Sequence, residues 1–145
     1  MTGGVADAIS RPLLLREMSL SNNRLAGLRL LLLEDEFLIA MDVEQLCHDH
    51  GAAEVVIVRS LADAVSGGAN FDAAIVDVML GGESTLPYAA QLRENGVPFI
   101  FASGYSDRKD IEADFPGVAI VGKPFSGEDL VAALAAAIAG RSGQG

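Results

Sequence analysis

Five short apolar runs, each closed by a polar cluster, constrain this chain more than any other feature. Leu28-Arg-Leu-Leu-Leu-Leu33 ends at Glu34-Asp35-Glu36, and Glu54-Val-Val-Ile-Val58 ends at Arg59-Ser60. Residues 73–78 carry Asp77 at their close; Pro98-Phe-Ile-Phe-Ala102 ends at Ser103-Gly104-Tyr105; residues 118–121 lead into Lys123-Pro124. Continuous apolar runs of this length, bounded by charge, suit strands buried on both faces. Between the runs lie helical patterns. Phe37, Leu38, Met41, Leu46 and Cys47 recur at helical spacing before Gly51, and Ser60 is placed to cap a short second helix ending near Gly67-Gly68, with Asp63 at its third position. A third helix is expected over residues 84–95, a short or mobile fourth over the highly charged residues 106–116, and a fifth from Ser126 to about Gly140.

Strands alternating with helices in this way predict an α/β fold, a doubly wound five-stranded parallel sheet with helices on both faces. Ligand sites in such sheets lie beyond the carboxyl ends of the strands, where strand order reverses. For the flavodoxin-like order 2-1-3-4-5 that point falls between strands one and three. Glu34 and Asp35 close strand one and Asp77 closes strand three, so three carboxylates are expected to converge there.

Composition narrows the class. At 145 residues the chain fits one domain able to bury roughly two thirds of its unfolded surface without disulfides or structural metal. Residues 1–27 read as a flexible tail, with one or two amphipathic turns over residues 13–20, a short docking helix, as the alternative; residues 28–140 read as the folded domain and 141–145 as a frayed end. A net charge of -10 opposes contact with nucleic acid or an anionic membrane, so no direct nucleic-acid partner is expected. Cys47 has no second cysteine to pair with, which points to a reducing compartment. No apolar run approaches the roughly 18 residues that span a bilayer, and no signal peptide opens the chain. A cytoplasmic protein without membrane insertion is therefore expected.

The acid cluster needs neutralising. Two carboxylates about 5 Å apart repel by roughly 3 kcal/mol at an effective dielectric of ~20. Protonation of one member is one answer and a hard divalent cation is the other. An all-oxygen site beside a lysine favours Mg²⁺ and phosphoryl chemistry, because Ser103 and Lys123 end strands four and five on the same edge and are placed to contact phosphoryl oxygens on Asp77. Solvated acids at strand ends are common; their ordered co-occurrence with Lys123-Pro124 is what marks a site. The Cys47-His48-Asp49-His50 run has metal-binding residue types, yet its close spacing spreads them around a helix end, where the histidines suit the negative end of the helix dipole.

At this point the chain resembles a known family. Leu33-Glu34-Asp35-Glu36, Val76-Asp77-Val78-Met79-Leu80, Ala102-Ser103-Gly104 and Gly122-Lys123-Pro124-Phe125 look like the receiver domain of two-component response regulators, over about residues 28–140. The resemblance implies that Asp77 is the phosphoacceptor and, with Lys123, the catalytic centre of its own phosphorylation by a histidine kinase or histidine phosphotransfer protein. It implies Mg²⁺ held by Asp35, Asp77, the Met79 carbonyl and, through water, Glu34. It further implies that Lys123 and Ser103 contact the phosphoryl group, that Pro124 follows a cis peptide bond, and that the product is an aspartyl phosphate used in signalling or a phosphorelay.

The chain also departs from the common pattern. Ile120 stands three residues before Lys123, where many receivers carry an aromatic switch residue. Phe101-Ala-Ser-Gly-Tyr105 with Lys123-Pro-Phe125 is similar to the receiver subgroup nicknamed FATGUY, which places the expected switch in the loop after strand four, around Gly104 and Tyr105. Tyr105 and Met79, flanking Asp77, are expected to restrict water and give slow autodephosphorylation. No output domain is expected after residue 140, so the reading is a stand-alone receiver that signals by protein contact or serves as a phosphate sink, rather than a turnover enzyme. A phosphorylation-independent binding module is the alternative. A metal-dependent phosphohydrolase would want a second Asp where Met79 stands.

Overall fold

A computed structural model describes residues 23–64, 70–103, 108–123 and 126–144. In chain order the elements are β1 (Arg29–Leu33), α1 (Phe37–Asp49), β2 (Glu54–Val58), a 3-10 turn (Leu61–Asp63), β3 (Ala73–Asp77), β4 (Met79–Leu80), β5 (Glu83–Ser84), α2 (Leu86–Glu94), β6 (Phe99–Ser103), α3 (Arg108–Asp114), β7 (Ile120–Gly122) and α4 (Gly127–Gln144). Five strands form one parallel sheet in the order β2-β1-β3-β6-β7, as the alternating pattern predicts.

The leucine run shows why the sheet is covered on both sides. Leu31 and Leu33 join one buried cluster and Leu30 and Leu32 the other, all of them sealed from solvent. Alternation does the same in β3, where Ala74 and Val76 face one cluster and Ala73 and Ile75 the other. Burying a leucine contributes about 2 kcal/mol, so no single-faced packing of β1 competes. Ala40, Val43 and Cys47 of α1 share a cluster with Leu130, Val131 and Leu134 of α4. Across the sheet, Tyr88, Ala89 and Leu92 of α2 pack with Ile111 of α3 and with Phe99, Phe101 and Phe115, whose rings meet edge to face at 5.3–6.0 Å. Burial pushes the Cys47 thiol up to about 12 and leaves it inert.

Several boundaries differ from those the sequence predicts. The turn over residues 23–27, read above as tail, is anchored to the domain. Leu25 is fully buried, its N–H donates to the His50 carbonyl at 2.9 Å, and the Gly27 N–H donates to that of Gly51 at 3.0 Å. The described part of the second helix is a 3-10 turn, in which Ser60 Oγ donates to the Asp63 carboxylate at 3.0 Å and makes no cap to a backbone N–H; its expected end near Gly67-Gly68 lies outside the described residues. The last helix runs past Gly140 to Gln144. The short fourth helix is present as α3. Among the described residues no helix is long and apolar enough to cross a membrane.

Candidate functional site

The parallel ladder sets the site. β1 lies between β2 and β3, with Leu33 opposite both Val58 and Val76, so the residues following Leu33 emerge beside Asp77. The Glu34 N–H extends that ladder by donating to the Val58 carbonyl at 3.1 Å. Glu34, Asp35 and Asp77 then each offer a carboxylate oxygen within 4.8 Å of the others. On the far side β6 carries Ala102 opposite Asp77, and Ser103 pairs with Gly122 of β7, which delivers Lys123. Ser103 is buried and its carbonyl accepts the Lys123 N–H at 2.9 Å.

Lys123 joins the two sides. Its ammonium donates to Asp77 Oδ2 at 2.9 Å and to Glu34 Oε1 at 3.0 Å. The second Glu34 oxygen accepts the Glu36 N–H at 3.0 Å, so this buried acid has both oxygens engaged. Burial pushes the Asp77 carboxyl up to about 6; the Lys123 hydrogen bond and charge pull it back, and Glu34 and Asp35 add to the rise. Burial opposes the charge on Lys123, but hydrogen bonds to Asp77 and Glu34 outweigh it and hold its pKa above the ordinary lysine value. Three acids against one ammonium leave excess negative charge at neutral pH, and all their donors are hard oxygens. That donor set fits a divalent cation such as Mg²⁺.

A feature absent from the sequence reading closes the site. After Asp77 the chain leaves the sheet as a tight antiparallel hairpin, Met79 opposite Ser84 and Leu80 opposite Glu83. Gly81 and Gly82 both adopt positive φ, 58° and 83°, as the favoured two-residue hairpin turn requires. At the tip the Gly81 N–H donates to Asp35 Oδ2 at 2.9 Å. At the base Thr85, fully buried, directs its hydroxyl to the carbonyls of Asp77 at 2.6 Å and Val78 at 2.9 Å. Arg59 reaches the Asp35 carbonyl at 3.3 Å. The Gly-Gly pair was the available signal for the hairpin; nothing in sequence marked Thr85.

Of the predicted site residues, Glu34, Asp35, Asp77 and Lys123 come together, and Ser103 ends the neighbouring strand. The Met79 side chain is 44% exposed in the hairpin. Gly104, Tyr105 and Pro124 lie outside the described residues. Ile120, opposite Phe101 in β7, packs against the aromatic cluster. No second group of three metal-ligating residues occurs among the described residues, so the Cys47-His48-Asp49-His50 run builds no metal site there; a His48 ring nitrogen lies 3.1 Å from the Ala52 carbonyl.

No family model matches the sequence, and no curated protein does. Solved structures do. A response regulator receiver protein from Sinorhizobium medicae WSM419 superposes with a TM-score of 0.70 at 26% identity, over 79% of this chain and 97% of that one. The chain has the receiver fold of response regulators. The same receiver fold recurs in the signal receiver domain of a modulated diguanylate cyclase from Desulfovibrio desulfuricans G20, with a TM-score of 0.72, 22% identity, and coverage of 82% of this chain and 99% of that one. The anti-anti-sigma factor PhyR from Bartonella quintana matches over 90% of this chain and 55% of its own, at 23% identity and a TM-score of 0.71. On this receiver fold, the three acids and Lys123 occupy the carboxyl edge of the sheet.

Proposed function

We propose that this receiver is a stand-alone phosphoacceptor: Asp77 takes a phosphoryl group from a phosphohistidine of a kinase or phosphotransfer protein. The observation that carries the reading is the Lys123 ammonium bridging Asp77 and Glu34 at the mouth of a three-acid cluster. In the transfer the donor N–P bond breaks as an Asp77 Oδ–P bond forms, and the electron pair leaves on the imidazole. Asp77 is the nucleophile. Lys123, held charged by its two acids, is placed to stabilise the transferring oxygens. Ser103, which ends the adjacent strand, would make a further phosphoryl contact once the group is attached. Asp35, Asp77, the Met79 carbonyl and Glu34 would hold Mg²⁺, which would supply charge neutralisation at the phosphoryl oxygens. The chain's acids alone would repel such a group.

The readout is a change of charge at the sheet edge, conveyed by contact with another protein or held as a phosphate reservoir in the cytoplasm. Ile120 occupies the usual aromatic switch position with a packed aliphatic side chain. That supports a switch located elsewhere, in keeping with the resemblance of residues 101–105 and 123–125 to the FATGUY subgroup.

The test is intact mass after incubation with acetyl phosphate and Mg²⁺, for wild type, for Asp77→Asn, and with EDTA. One phosphate added to wild type, lost in the variant and with chelator, is the expected result. No addition, even from histidine-phosphorylated donors, would replace this reading with a phosphorylation-independent binding module.

A further inference from the structure

The N-terminal half of α1 presents an apolar face that the domain leaves uncovered. Phe37 is 58% exposed, Leu38 76% and Met41 43%; with Met79 they are the large apolar side chains exposed among the described residues. Leaving three neighbouring side chains in water forgoes the burial that drives the rest of the fold, so such a cluster marks a contact surface. Acids surround it: Glu36 precedes Phe37, Asp42 follows Met41, and both are exposed.

The chain carries a segment of matching chemistry. Residues 11–20 read Arg-Pro-Leu-Leu-Leu-Arg-Glu-Met-Ser-Leu, an apolar stretch with Arg11 and Arg16 bracketing three leucines. Its tether is favourably placed. The 23–27 turn is tied to the carboxyl end of α1 by the Leu25 and Gly27 hydrogen bonds to His50 and Gly51, and the Ala26 Cα lies 3.0 Å from where a Gly51 side chain would begin. From His50 back to Leu38 is twelve residues, or about 18 Å along a helix. An extended chain spans that in about six residues. Leu15 lies eight residues before Asn23, so the leucines reach the exposed face in an antiparallel path with chain to spare.

We propose that residues 11–20 dock in cis on the Phe37-Leu38-Met41 face of α1, with Arg11 and Arg16 set against Glu36 and Asp42. The short tether makes the contact intramolecular and therefore effective even if each apolar contact is weak. A protein that approaches over the start of α1 would compete with residues 11–20 for the same face. The contact is independent of the chemistry of Asp77.

The full-length chain tests this directly. A nitroxide on Ser10→Cys leaves the buried Cys47 unlabelled and reports by paramagnetic broadening of backbone amide signals. Expected is selective loss of intensity at Phe37, Leu38 and Met41, with Arg93 on the opposite side of the sheet unaffected, and recovery when Leu13, Leu14 and Leu15 are all replaced by Ser. Absence of broadening at α1, or broadening that survives the triple replacement, would overturn the proposal. So would broadening that appears equally when labelled chain lacking ¹⁵N is mixed with unlabelled ¹⁵N chain, since that contact belongs to a second copy.

Discussion

Thr85 holds the Asp77 carbonyl, and the end of β3 therefore depends on a residue outside the carboxylate cluster. Its hydroxyl is buried and lies 2.6 Å from that carbonyl. Thr85→Val keeps shape and removes the donor, so a destabilisation of roughly 1–3 kcal/mol is expected, read as a lower urea midpoint at unchanged slope. An unchanged midpoint would mean the carbonyl finds another donor. Asp77 also gives a pH signature. Its carboxyl rises from 3.8 to about 6 on folding, so the folded state binds this proton more tightly. The stabilisation from the protonated form is present at low pH and is lost as pH rises from about 4 through about 6. In EDTA, wild type should lose stability relative to Asp77→Asn across that window, by roughly 1–2 kcal/mol after discounting for solvent screening. A flat difference between the two unfolding curves would refute it.

At the level of elements, the strands were legible because each is an unbroken apolar run, and the convergence of Glu34, Asp35, Asp77 and Lys123 follows once those runs are stacked in parallel. The misses have local causes. Ser60 bonds a side chain where a cap was expected, and the described residues after it form a 3-10 turn. Gly140 is absent from the positive-φ glycines, so it costs the helix about 1 kcal/mol without stopping it, and α4 continues. The hairpin strands are two residues long, too short for alternation to register, and only the Gly-Gly turn could have betrayed them. That hairpin leaves Met79, two residues after Asp77, with its side chain in solvent. Met79→Asn and Tyr105→Glu are each expected to accelerate decay of phosphorylated Asp77, followed by intact mass over time, because each replaces an apolar or aromatic flank with a group able to position water. Decay rates equal to wild type in both variants would remove these residues from control of hydrolysis.

For the molecule as a whole, the proposed cation would offset a cost that the acid cluster puts on folding. Uncompensated carboxylates at the sheet edge weaken the free protein, and a cation that binds only the folded state returns stability by mass action, about 2.7 kcal/mol at a hundredfold excess over its dissociation constant. Mg²⁺ should thus raise the melting temperature of wild type. Asp35→Asn, which leaves Lys123 with both its acids, should show a much smaller rise. Equal shifts in both would place the cation elsewhere.

The ammonium of Lys123 and the carboxylate of Glu34 meet across 89 positions of chain. During synthesis, β1 and β3 and their acids leave the ribosome well before β7 exists, so a partly made chain carries the carboxylates without their ammonium. Such a long-range contact forms late, after the costly closure of the loop between its ends. Full assembly of the pocket therefore waits on β7: a truncated or half-folded chain carries the carboxylates without the ammonium that bridges Asp77 and Glu34.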